Sequence, residues 1–526
     1  MQQAFAQSQT PRSGLVLFAY WVALLTVFAV GLVALYYRLT EGLAVTALSN
    51  LIGWGLWVAL YIYFIGLSAG SFLLSTLIYV FGIKRYEPIG RLAVFSAFVA
   101  LAGGLIFILL DLGHVDRFWT VFFNRNQSSV LEWEIHFYLL YLVILLAELW
   151  LLMRRDLVLR SRGADLKAQV ARFLALGSRD VSEEADRQDS RWVRILGAIG
   201  IPVAIFVHGG TGAIFAVVEA RPYWYSGLFP VIFLVSAFAS GGGLLLFLAS
   251  LSAGRRAEEY RAMLAGLGKL VAGILALDLL LLAIEMLVAL YGSVPDLIAT
   301  YQAIIAGPFW WVFWVQQLLI GALLPLILIL FPRTGRSAGW VGIAGFLIVA
   351  GIFGVRLNIV IPPLTVPVLE GLPEAYGQGL AIAGLDYVAM MRPWLLVAGS
   401  IVILCLLLAT IGLGRGPGRP AWIGAARALA GAGAVVLVFI LASVASPGVV
   451  LFSSYASSPV FPLGFGPGGS SEAGRLSTYY APSVIEWVSS AGVVAFCVIL
   501  LTLGLSLLPV EEETAEHLDY SRNRGI

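Results

Sequence analysis

The sequence predicts an all-α polytopic membrane protein with about 12 transmembrane helices. Its 526 residues are 60% hydrophobic and only 12% charged, and the mean hydropathy is +0.93. A soluble domain typically has ~45–50% apolar and ~25% charged residues, so a soluble globule is excluded. Apolar runs of ~20 residues, the length that crosses ~30 Å of hydrocarbon as a helix, recur along the chain. Because these runs are continuous and rich in Leu, Ala and Gly, a β-barrel of alternating strands is excluded as well.

Twelve apolar runs are long enough to be spanning helices. In order, they cover residues 15–37, 51–81, 91–111, 131–153, 194–218, 227–252, 267–291, 308–331, 338–357, 393–413, 422–443 and 484–508. The first run follows Arg12 and lacks a small-residue cleavage site, which indicates a spanning helix rather than a signal peptide. The second run is longer than one crossing requires, so we expect a tilted helix or one that begins in the interface.

The basic residues predict the orientation. Most of the 32 Lys and Arg residues lie in alternate connecting segments, including the long segment 154–193. Such segments stay in the cytoplasm, so the bias predicts a multi-pass protein of the inner (cytoplasmic) membrane with both termini cytoplasmic. Segment 154–193 also carries Asp and Glu and predicts one or two solvated helices. The Gly-, Ser- and Pro-rich segment 446–482 is then an outer loop, either a cover or docking surface or a plain connector.

An internal repeat relates helices two to five to helices six to nine. Residues 64–75 and 233–246 each carry a run of small residues followed by Leu, and a basic pair follows each of them. These copies predict two parallel four-helix bundles related by an axis along the membrane normal. The predicted divisions are an N-terminal helix at 1–50, a first bundle at 51–220, a second bundle at 221–360, and additional C-terminal helices with a cytoplasmic tail at 361–526.

Ionisable residues concentrate between the third and fourth helices, on the predicted outer side. They are Asp111, His114, Asp116, Arg117, Arg125, Glu132, Glu134 and His136. Charged groups at the mouth of apolar helices are costly unless they are paired or used, so this cluster is the first candidate for a functional site. The alternative is an outer loop with ordinary interfacial ion pairs.

The two cysteines predict no metal or haem site. Cys405 and Cys497 lie in apolar runs without CxxC or CxxCH spacing, so we expect no iron–sulfur cluster, metal or c-type haem in this chain. The basic residues form no stripe with interleaved aromatic residues, so nucleic acid is not an expected partner.

Four segments carry motifs whose order is informative. These are Gly66-Leu-Ser-Ala-Gly-Ser-Phe, Asp111-Leu-Gly-His-Val-Asp-Arg-Phe-Trp, His208-Gly-Gly-Thr-Gly with the following Trp224-Tyr-Ser-Gly-Leu-Phe-Pro, and Arg356-Leu-Asn358. Together they resemble the NrfD family, the membrane subunits of polysulfide-reductase-like complexes. The resemblance is closest to the longer branch found with periplasmic hydrogenases and sulfur-metabolism complexes, and it covers roughly residues 50–400.

The resemblance implies a quinone-reactive membrane anchor of a respiratory oxidoreductase complex. Members of the family hold no redox cofactor themselves and bind quinone near the outer surface, beside an iron–sulfur subunit. For this chain the implied substrate is menaquinone or ubiquinone. The implied partners are a ferredoxin-like iron–sulfur subunit on the outer face, a molybdopterin, hydrogenase or cytochrome subunit next to it, and membrane lipid.

Quinone chemistry moves two electrons and two protons, so its site needs hydrogen-bonding and titratable side chains. Histidine is suited because its unperturbed pKa is ~6.5. Glu132 and His136 share one face of the fourth helix at spacing i, i+4, and we predict that they contact the headgroup. Asp111 and His114 are predicted to close the site from the third helix, and Glu134 completes the set from another face of the fourth.

Several other side chains are candidates for supporting roles. Trp54, Trp57 and Tyr61 either stack on the quinone ring or anchor the second helix at the interface. His208, inside the fifth helix, is either a quinone or proton-path residue or a satisfied packing histidine.

Carboxylates inside the spans predict an inward proton path, with a static polar network as the alternative; they are Glu148, Asp278 and Glu285. Asp116 and Arg117 either pair with each other or contact a partner subunit. Arg356 and Asn358 are likewise assigned a partner-contacting or structural role.

Two other functions fit part of the sequence. One is a b-haem quinol oxidoreductase with His136 and His208 as axial ligands, but their expected depths differ by roughly 7–8 Å, which disfavours a shared haem. The other is a secondary transporter or proton-translocating membrane protein, since parallel repeats and buried carboxylates occur there too. Transporters usually break helices at a midplane site, whereas this chain concentrates polar residues at the outer surface.

Overall fold

The computed structural model describes residues 11–252, 258–367 and 480–510, with a few positions between 399 and 434. Within these ranges, ten helices are long and apolar enough to cross a membrane. They coincide with ten of the predicted spans, so the predicted all-helical, multi-pass fold is confirmed. The spans predicted at 393–413 and 422–443 lie outside the described residues almost entirely, as do the predicted outer loop 446–482 and the tail.

Seven helices form the first half of the described chain. They are α1 (Pro11–Glu41), α2 (Leu56–Tyr79), α3 (Gly90–Asp111), α4 (Val130–Arg160), α5 (Leu166–Leu174), α6 (Glu183–Ala216) and α7 (Phe229–Ser252). Short 3-10 helices at Gly42–Val45, Lys84–Ile89 and Val115–Phe122 lie in the connections. α4 and α6 contain 31 and 34 residues, more than the ~20 needed to cross the membrane. Both helices are therefore longer than a single crossing requires.

The second half begins with the long helix α8 and ends with α13. Its elements are α8 (Glu258–Gly292), α9 (Pro295–Ile305), a π-helix (Val312–Leu323) that continues into α10 (Leu324–Leu330), α11 (Ala338–Val360), the single turn α12 (Pro362–Thr365) and α13 (Val484–Leu507). Gly321 of the π-helix faces Gly351 of α11, and neither position has room for a Cβ atom. The small residues thus allow the two backbones to touch.

Two groups of helices meet at α2. Helices α2, α3, α4 and α6 pack around one another, and α7, α8, α10 and α11 do the same. α2 crosses α7 at Gly70 and Gly241, where an added Cβ atom on either glycine would overlap the backbone of the other helix. This close approach joins the two groups. Whether they are related as a repeat, with boundaries at 50, 220 and 360, stays a prediction.

The start of α13 fixes the segment that precedes α2. Glu486 and Ser483 form a capping box at the beginning of α13. The same Glu486 carboxylate accepts the backbone N–H of Ala47 at 2.8 Å and the hydroxyl proton of Tyr480. Tyr480 in turn accepts the N–H of Leu56 at 2.8 Å. One buried carboxylate therefore satisfies backbone groups of two distant parts of the chain.

Arg154 joins the C-terminal end of α4 to the N-terminal end of α6. Its guanidinium donates to the Asp189 carboxylate at 2.5 Å, to the Ser178 hydroxyl at 2.9 Å and to the carbonyl oxygen of Asp180 at 2.7 Å. These bonds fix the connection in which α5 lies, and α5 is a short helix of the kind that the mixed charges of 154–193 predict.

Candidate functional site

The first turn of α4 holds a buried carboxylate. The Ser129 hydroxyl caps the helix and accepts the backbone N–H of Glu132, which fixes Glu132 in the first turn. Only 4% of the Glu132 side chain is exposed, and its Oε1 accepts a hydrogen bond from Arg125 Nε at 2.7 Å. Its Oε2 has no hydrogen-bond partner among the residues that the structure describes. Oε1 of the carboxylate is thus bound to Arg125, and Oε2 is available to accept another hydrogen bond.

His136 lies one turn further along the same face. Its Nδ1 is 3.7 Å from Glu132 Oε1 and donates to the carbonyl oxygen of Glu132 at 2.8 Å. The imidazole meets the ring of Phe122 edge-on, and 31% of the side chain is exposed. The structure therefore brings Glu132 and His136 together. Since Nδ1 is engaged with the backbone, Nε2 is the ring nitrogen left for another hydrogen bond.

Glu134 faces the interior of the bundle instead. Its side chain is 2% exposed, and the Thr211 hydroxyl of α6 donates to its Oε1. The Tyr138 hydroxyl lies 3.3 Å from Thr211 Oγ1, and Tyr61 of α2 is buried beside the same group. Within the described ranges, Glu134 Oε2 has no partner. Glu132 and Glu134, two residues apart on α4, thus have different surroundings.

Asp111 ends α3 beside a buried cation. Arg38 of α1, 1% exposed, donates from Nε to the carbonyl oxygen of Leu110 at 2.8 Å and also to that of Leu112. Its charge acts on Asp111 without a direct ion pair between these two described residues. Asp111 Oδ1 is buried and has no partner in the described part of the chain. Arg38 therefore binds carbonyl oxygens at the C-terminal end of α3 and acts on Asp111 only at a distance.

The exposed turn after α3 carries the other predicted residues of the outer cluster. Asp116 lies 3.9 Å from His114 and 3.7 Å from Arg117, and 65–73% of each side chain is exposed. Exposed pairs of this kind contribute only ~0–1 kcal/mol to stability. These three side chains are thus available to solvent or to a partner, and their roles stay predictions.

The two tryptophans at the start of α2 pack inside the protein. Trp57 is fully buried; its indole N–H donates to the Ser489 hydroxyl at 3.1 Å and its ring lies under the Arg38 guanidinium. The ring of Trp54 contacts those of Phe215 and Trp224, with centroids 5.4 and 5.5 Å apart. Their assignment to quinone stacking stays a prediction.

A second buried polar group lies where the two groups of helices meet. Arg356 of α11 is 0% exposed, and its Nη2 donates to Ser236 Oγ at 2.5 Å and to His208 Nε2 at 3.3 Å. The guanidinium stacks 4.8 Å from the ring centre of Phe233. A Cβ atom at Gly66 of α2 would lie 3.1 Å from the His208 ring. The missing side chain of Gly66 therefore makes room for this pair.

Further polar side chains lie deeper in the helices. Asn358 donates to Gln317 Oε1 at 2.9 Å. Both carboxylate oxygens of Glu148 and one oxygen each of Asp278 and Glu285 are buried and lack partners among the described residues. Whether these carboxylates form a continuous proton path stays a prediction.

Burial also affects a charged group outside the spans. Arg221, in the connection between α6 and α7, donates to the carbonyl oxygens of Pro363 and Val366, both at 2.8 Å. Desolvation by burial lowers the pKa of its guanidinium. This arginine joins the connection before α7 to the turn of α12 that follows α11.

Sequence reasoning missed Arg38, Thr211 and Ser236. Arg38 has a recognisable signal, because it is a charged residue directly after the first apolar run, 15–37. Thr211 lies in the His208-Gly-Gly-Thr-Gly motif and Ser236 in the small-residue run 233–246, but neither pattern indicates a side-chain partner, since hydroxyl groups in spanning helices usually bond to their own backbone. Across the described residues, no group of three or more His, Cys, Asp or Glu side chains is arranged to hold a metal ion.

Comparison with known proteins identifies the family. The sequence model described as polysulphide reductase, NrfD, matches residues 44–367, more than half of the chain. The chain belongs to the NrfD family. The resemblance drawn from the four motifs is thereby confirmed.

Three relatives of this NrfD protein are informative. A selenate reductase subunit of Mesobacillus selenatarsenatis is 42% identical over 394 residues, which cover 74% of this chain and 91% of the relative. The Hdr-like menaquinol oxidoreductase integral membrane subunit of Archaeoglobus fulgidus is 30% identical over 401 residues, with the same coverage of 74% and 91%. The menaquinone reductase integral membrane subunit of Nitratidesulfovibrio vulgaris is 25% identical over 399 residues, covering 72% and 91%.

The family match of this NrfD protein extends from the segment before α2 through α12. It includes Glu132, His136, Glu134 and the Arg356–His208 pair, whereas Arg38 lies outside it. α1 and α13 flank the matched range, so they add Arg38 and Glu486 to a core that the family shares.

Proposed function

We propose that this NrfD protein is the quinone- or quinol-binding membrane subunit of a respiratory oxidoreductase complex. It exchanges electrons with an extracytoplasmic iron–sulfur subunit, which serves a molybdopterin, hydrogenase or cytochrome subunit. Menaquinone or ubiquinone is the proposed substrate. Two relatives are named for menaquinol or menaquinone and a third as part of a selenate reductase, and these names support the proposal.

The observation that supports the proposal most directly is the Glu132 carboxylate, of which only Oε1 is hydrogen-bonded among the described residues. It is buried at the outer end of α4, held by Arg125 through Oε1, and lacks a partner at Oε2 among the described side chains. His136 stands beside it with an exposed part of its ring. A buried charged oxygen without a partner is costly, and a ligand with hydroxyl groups relieves that cost.

The chemistry needs two proton acceptors at the headgroup. When a quinol is oxidised, two electrons leave for the iron–sulfur partner and two protons leave the hydroxyl groups; reduction reverses both. In our proposal, His136 Nε2 takes one proton and Glu132 Oε2 takes the other. Asp111 and Glu134 exchange these protons with their surroundings. His114, in the exposed turn after α3, covers the entrance of the proposed quinone site.

The proposed setting is the inner membrane, with the outer end of α4 on the extracytoplasmic side. The concentration of basic residues in the inner connections supports this orientation. Glu148, Asp278 and Glu285 are proposed to carry protons inward, which is supported by their burial and by oxygens that lack partners within the described chain.

Substitutions at the headgroup pair test the proposal. We expect His136→Ala and Glu132→Gln to lower quinone-linked electron transfer by at least roughly 100-fold, because a general acid–base group is lost. Activity of the partner subunits with a soluble dye that bypasses quinone should stay unchanged. Both assays are run on the same purified complex, and a denaturing gel checks that every subunit is present.

Glu219→Gln is the matched control, because Glu219 is an exposed carboxylate in the next outer connection. It should retain both activities. Full quinone-linked activity in the His136 and Glu132 variants would contradict the assignment, and equal loss of dye-linked activity would indicate a structural role instead.

A further inference from the structure

The end of α5 and the turn after it expose large apolar side chains and bury small ones. Phe173 is 79% exposed and Leu176 is 72% exposed. By contrast, Ala171 and Ala175 are buried. A short helix on the surface of a soluble domain directs its larger apolar residues toward the core. The turn 173–177 instead presents two large apolar side chains outward.

The backbone conformation of Leu176 is unfavourable for its residue type. Its φ angle is +49°, and Gly177 follows at +80°. In this left-handed region the Cβ atom of a leucine lies too close to the following carbonyl oxygen, whereas a glycine adopts the conformation freely. A leucine that is both strained and exposed adds little to packing within the described chain. Strain of this kind points to a use of the side chain outside the protein.

A hydrogen bond holds this turn against the lipid-facing side of α4. The indole N–H of Trp150 donates to the carbonyl oxygen of Leu174 at 3.0 Å. Trp150 lies on the same face of α4 as Val143 and Leu146, which are seven and four residues before it. These two side chains are 62% and 46% exposed on a helix that is long and apolar enough to cross the membrane. Lipid tails are the surroundings that suit such side chains.

The level of the turn along α4 is the level at which the apolar sequence ends. The apolar run 131–153 is followed directly by Arg154, which donates to the hydroxyl of Ser178 at 2.9 Å. The turn 173–177 is therefore held between Trp150 and Arg154, which are about 6 Å apart along the helix axis. Tryptophan is enriched at the boundary between hydrocarbon and water, so the turn lies at that boundary.

Basic side chains flank the turn on both sides. Arg172 precedes it, Arg179 follows it, and both are exposed. Arg172 Nη2 donates to the carbonyl oxygens of Ser161 and Gly163 at 3.1 and 3.2 Å, which holds its guanidinium in place. Guanidinium groups bind phosphate oxygens through paired N–H groups. Apolar side chains between such groups are complementary to an anionic lipid surface.

We propose that residues 173–177 form a lipid-binding turn. Phe173 and Leu176 insert between the acyl chains at the headgroup boundary, and Arg172 and Arg179 bind the phosphates of anionic phospholipid. Burial of the Leu176 side chain in lipid compensates for its strained backbone. The turn thereby fixes the connection between α4 and α6 to the bilayer, and it does so whether or not the chain binds quinone.

Fluorescence quenching tests the insertion. An environment-sensitive fluorescent amino acid is encoded in place of Phe173, and the whole complex is placed in phosphatidylglycerol nanodiscs whose acyl chains carry bromine. We expect bromine to lower the emission at least about twofold, because inserted apolar side chains lie roughly 5–10 Å into the boundary between headgroups and acyl chains. Iodide in the water should have little effect.

The same probe in place of Glu184 is the control. Glu184 is exposed, and about 15 Å of α6 separate it from the apolar run 194–218, so iodide should quench this probe and bromine should not. A probe at 173 that responds only to iodide would overturn the insertion. A probe at 173 that neither quencher reaches would overturn it as well, because a partner subunit or a second copy of the chain then covers the turn.

Thermal unfolding with defined lipids tests the anionic preference. We expect phosphatidylglycerol to raise the unfolding midpoint of the detergent-solubilised complex above that with phosphatidylcholine by roughly 2–4 °C. In R172Q/R179Q this difference between the lipids should fall by at least half. R187Q is the matched control, because Arg187 is an exposed arginine that pairs with Glu183 at 3.3 Å, and it should keep the difference.

The readout is the difference between the two lipids, so a loss of stability common to both does not affect it. Equal midpoints in the two lipids for the unaltered complex would overturn the recognition of anionic lipid. A difference that persists undiminished in R172Q/R179Q would overturn the assignment to these two arginines.

Discussion

At the residue scale, the two carboxylates at the start of α4 show how position on a helix separates chemical roles. Glu132 and Glu134 are two residues apart and therefore point about 200° away from each other. Glu132 contacts Arg125 and His136 near the N-terminal end of α4, whereas Glu134 accepts a hydrogen bond from Thr211 inside the bundle. In our proposal the first contacts the headgroup and the second passes protons inward.

Glu486 provides a stability test at the same scale. Glu486→Ala leaves the buried N–H groups of Ala47 and Ser483 without their acceptor, at a cost of about 1–3 kcal/mol for each unsatisfied group. We expect a lower unfolding midpoint in detergent. Ser506→Ala is the control, because this exposed hydroxyl bonds only within its own helix turn. Equal midpoints for the two variants would contradict the role of Glu486.

Individual contacts were predictable only where they are local in sequence. The i, i+4 spacing predicts the contact of Glu132 with His136, and the structure contains it. By contrast, Arg38 bonds to Leu110, and Glu486 bonds to Ala47 from the other end of the chain. Such partners depend on how helices pack, and no periodicity in the sequence encodes them.

At the scale of elements, the crossing of α2 and α7 is decisive because it joins the two groups of helices. Small residues permit close contact between backbones, which is how helices associate within a membrane. Gly70 and Gly241 do this so closely that any side chain there meets backbone atoms.

Gly70→Val tests this crossing. The larger side chain must separate α2 from α7, and overpacking of this kind typically costs ~1–3 kcal/mol or more. We expect a lower unfolding midpoint and less assembled complex. Gly273→Ala is the matched control, because nothing lies within 4 Å of an added Cβ atom at this helical glycine. A Gly70→Val protein as stable as the control would contradict the close crossing.

Hydropathy predicted where helices span, but not where they end. The predicted run 51–81 becomes helical only at Leu56, where the Tyr480 hydroxyl accepts the backbone N–H. α4 and α6 continue past their apolar runs. There the ion pair of Arg154 with Asp189 joins the polar C-terminal end of α4 to the polar N-terminal end of α6. Both boundaries are set by tertiary contacts that an apolar run does not reveal.

At the scale of the whole molecule, polar side chains cluster in two regions. Glu132 and His136 lie near the N-terminal end of α4, and Arg356 and His208 lie where the two groups of helices meet. Glu134 and Thr211 form a further buried contact, between α4 and α6. In our proposal, quinone reacts beside Glu132 and His136, and buried carboxylates carry the released protons inward.

The most direct measurement is photolabelling of the whole complex with an azido-menaquinone. We expect label on peptides that contain residues 111–136, prevention of that label by excess menaquinone, and its loss in Glu132→Gln and His136→Ala. Label that menaquinone displaces only from other helices would contradict a headgroup site at the outer end of α4. Absence of any displaceable label in the active complex would contradict quinone binding by this chain.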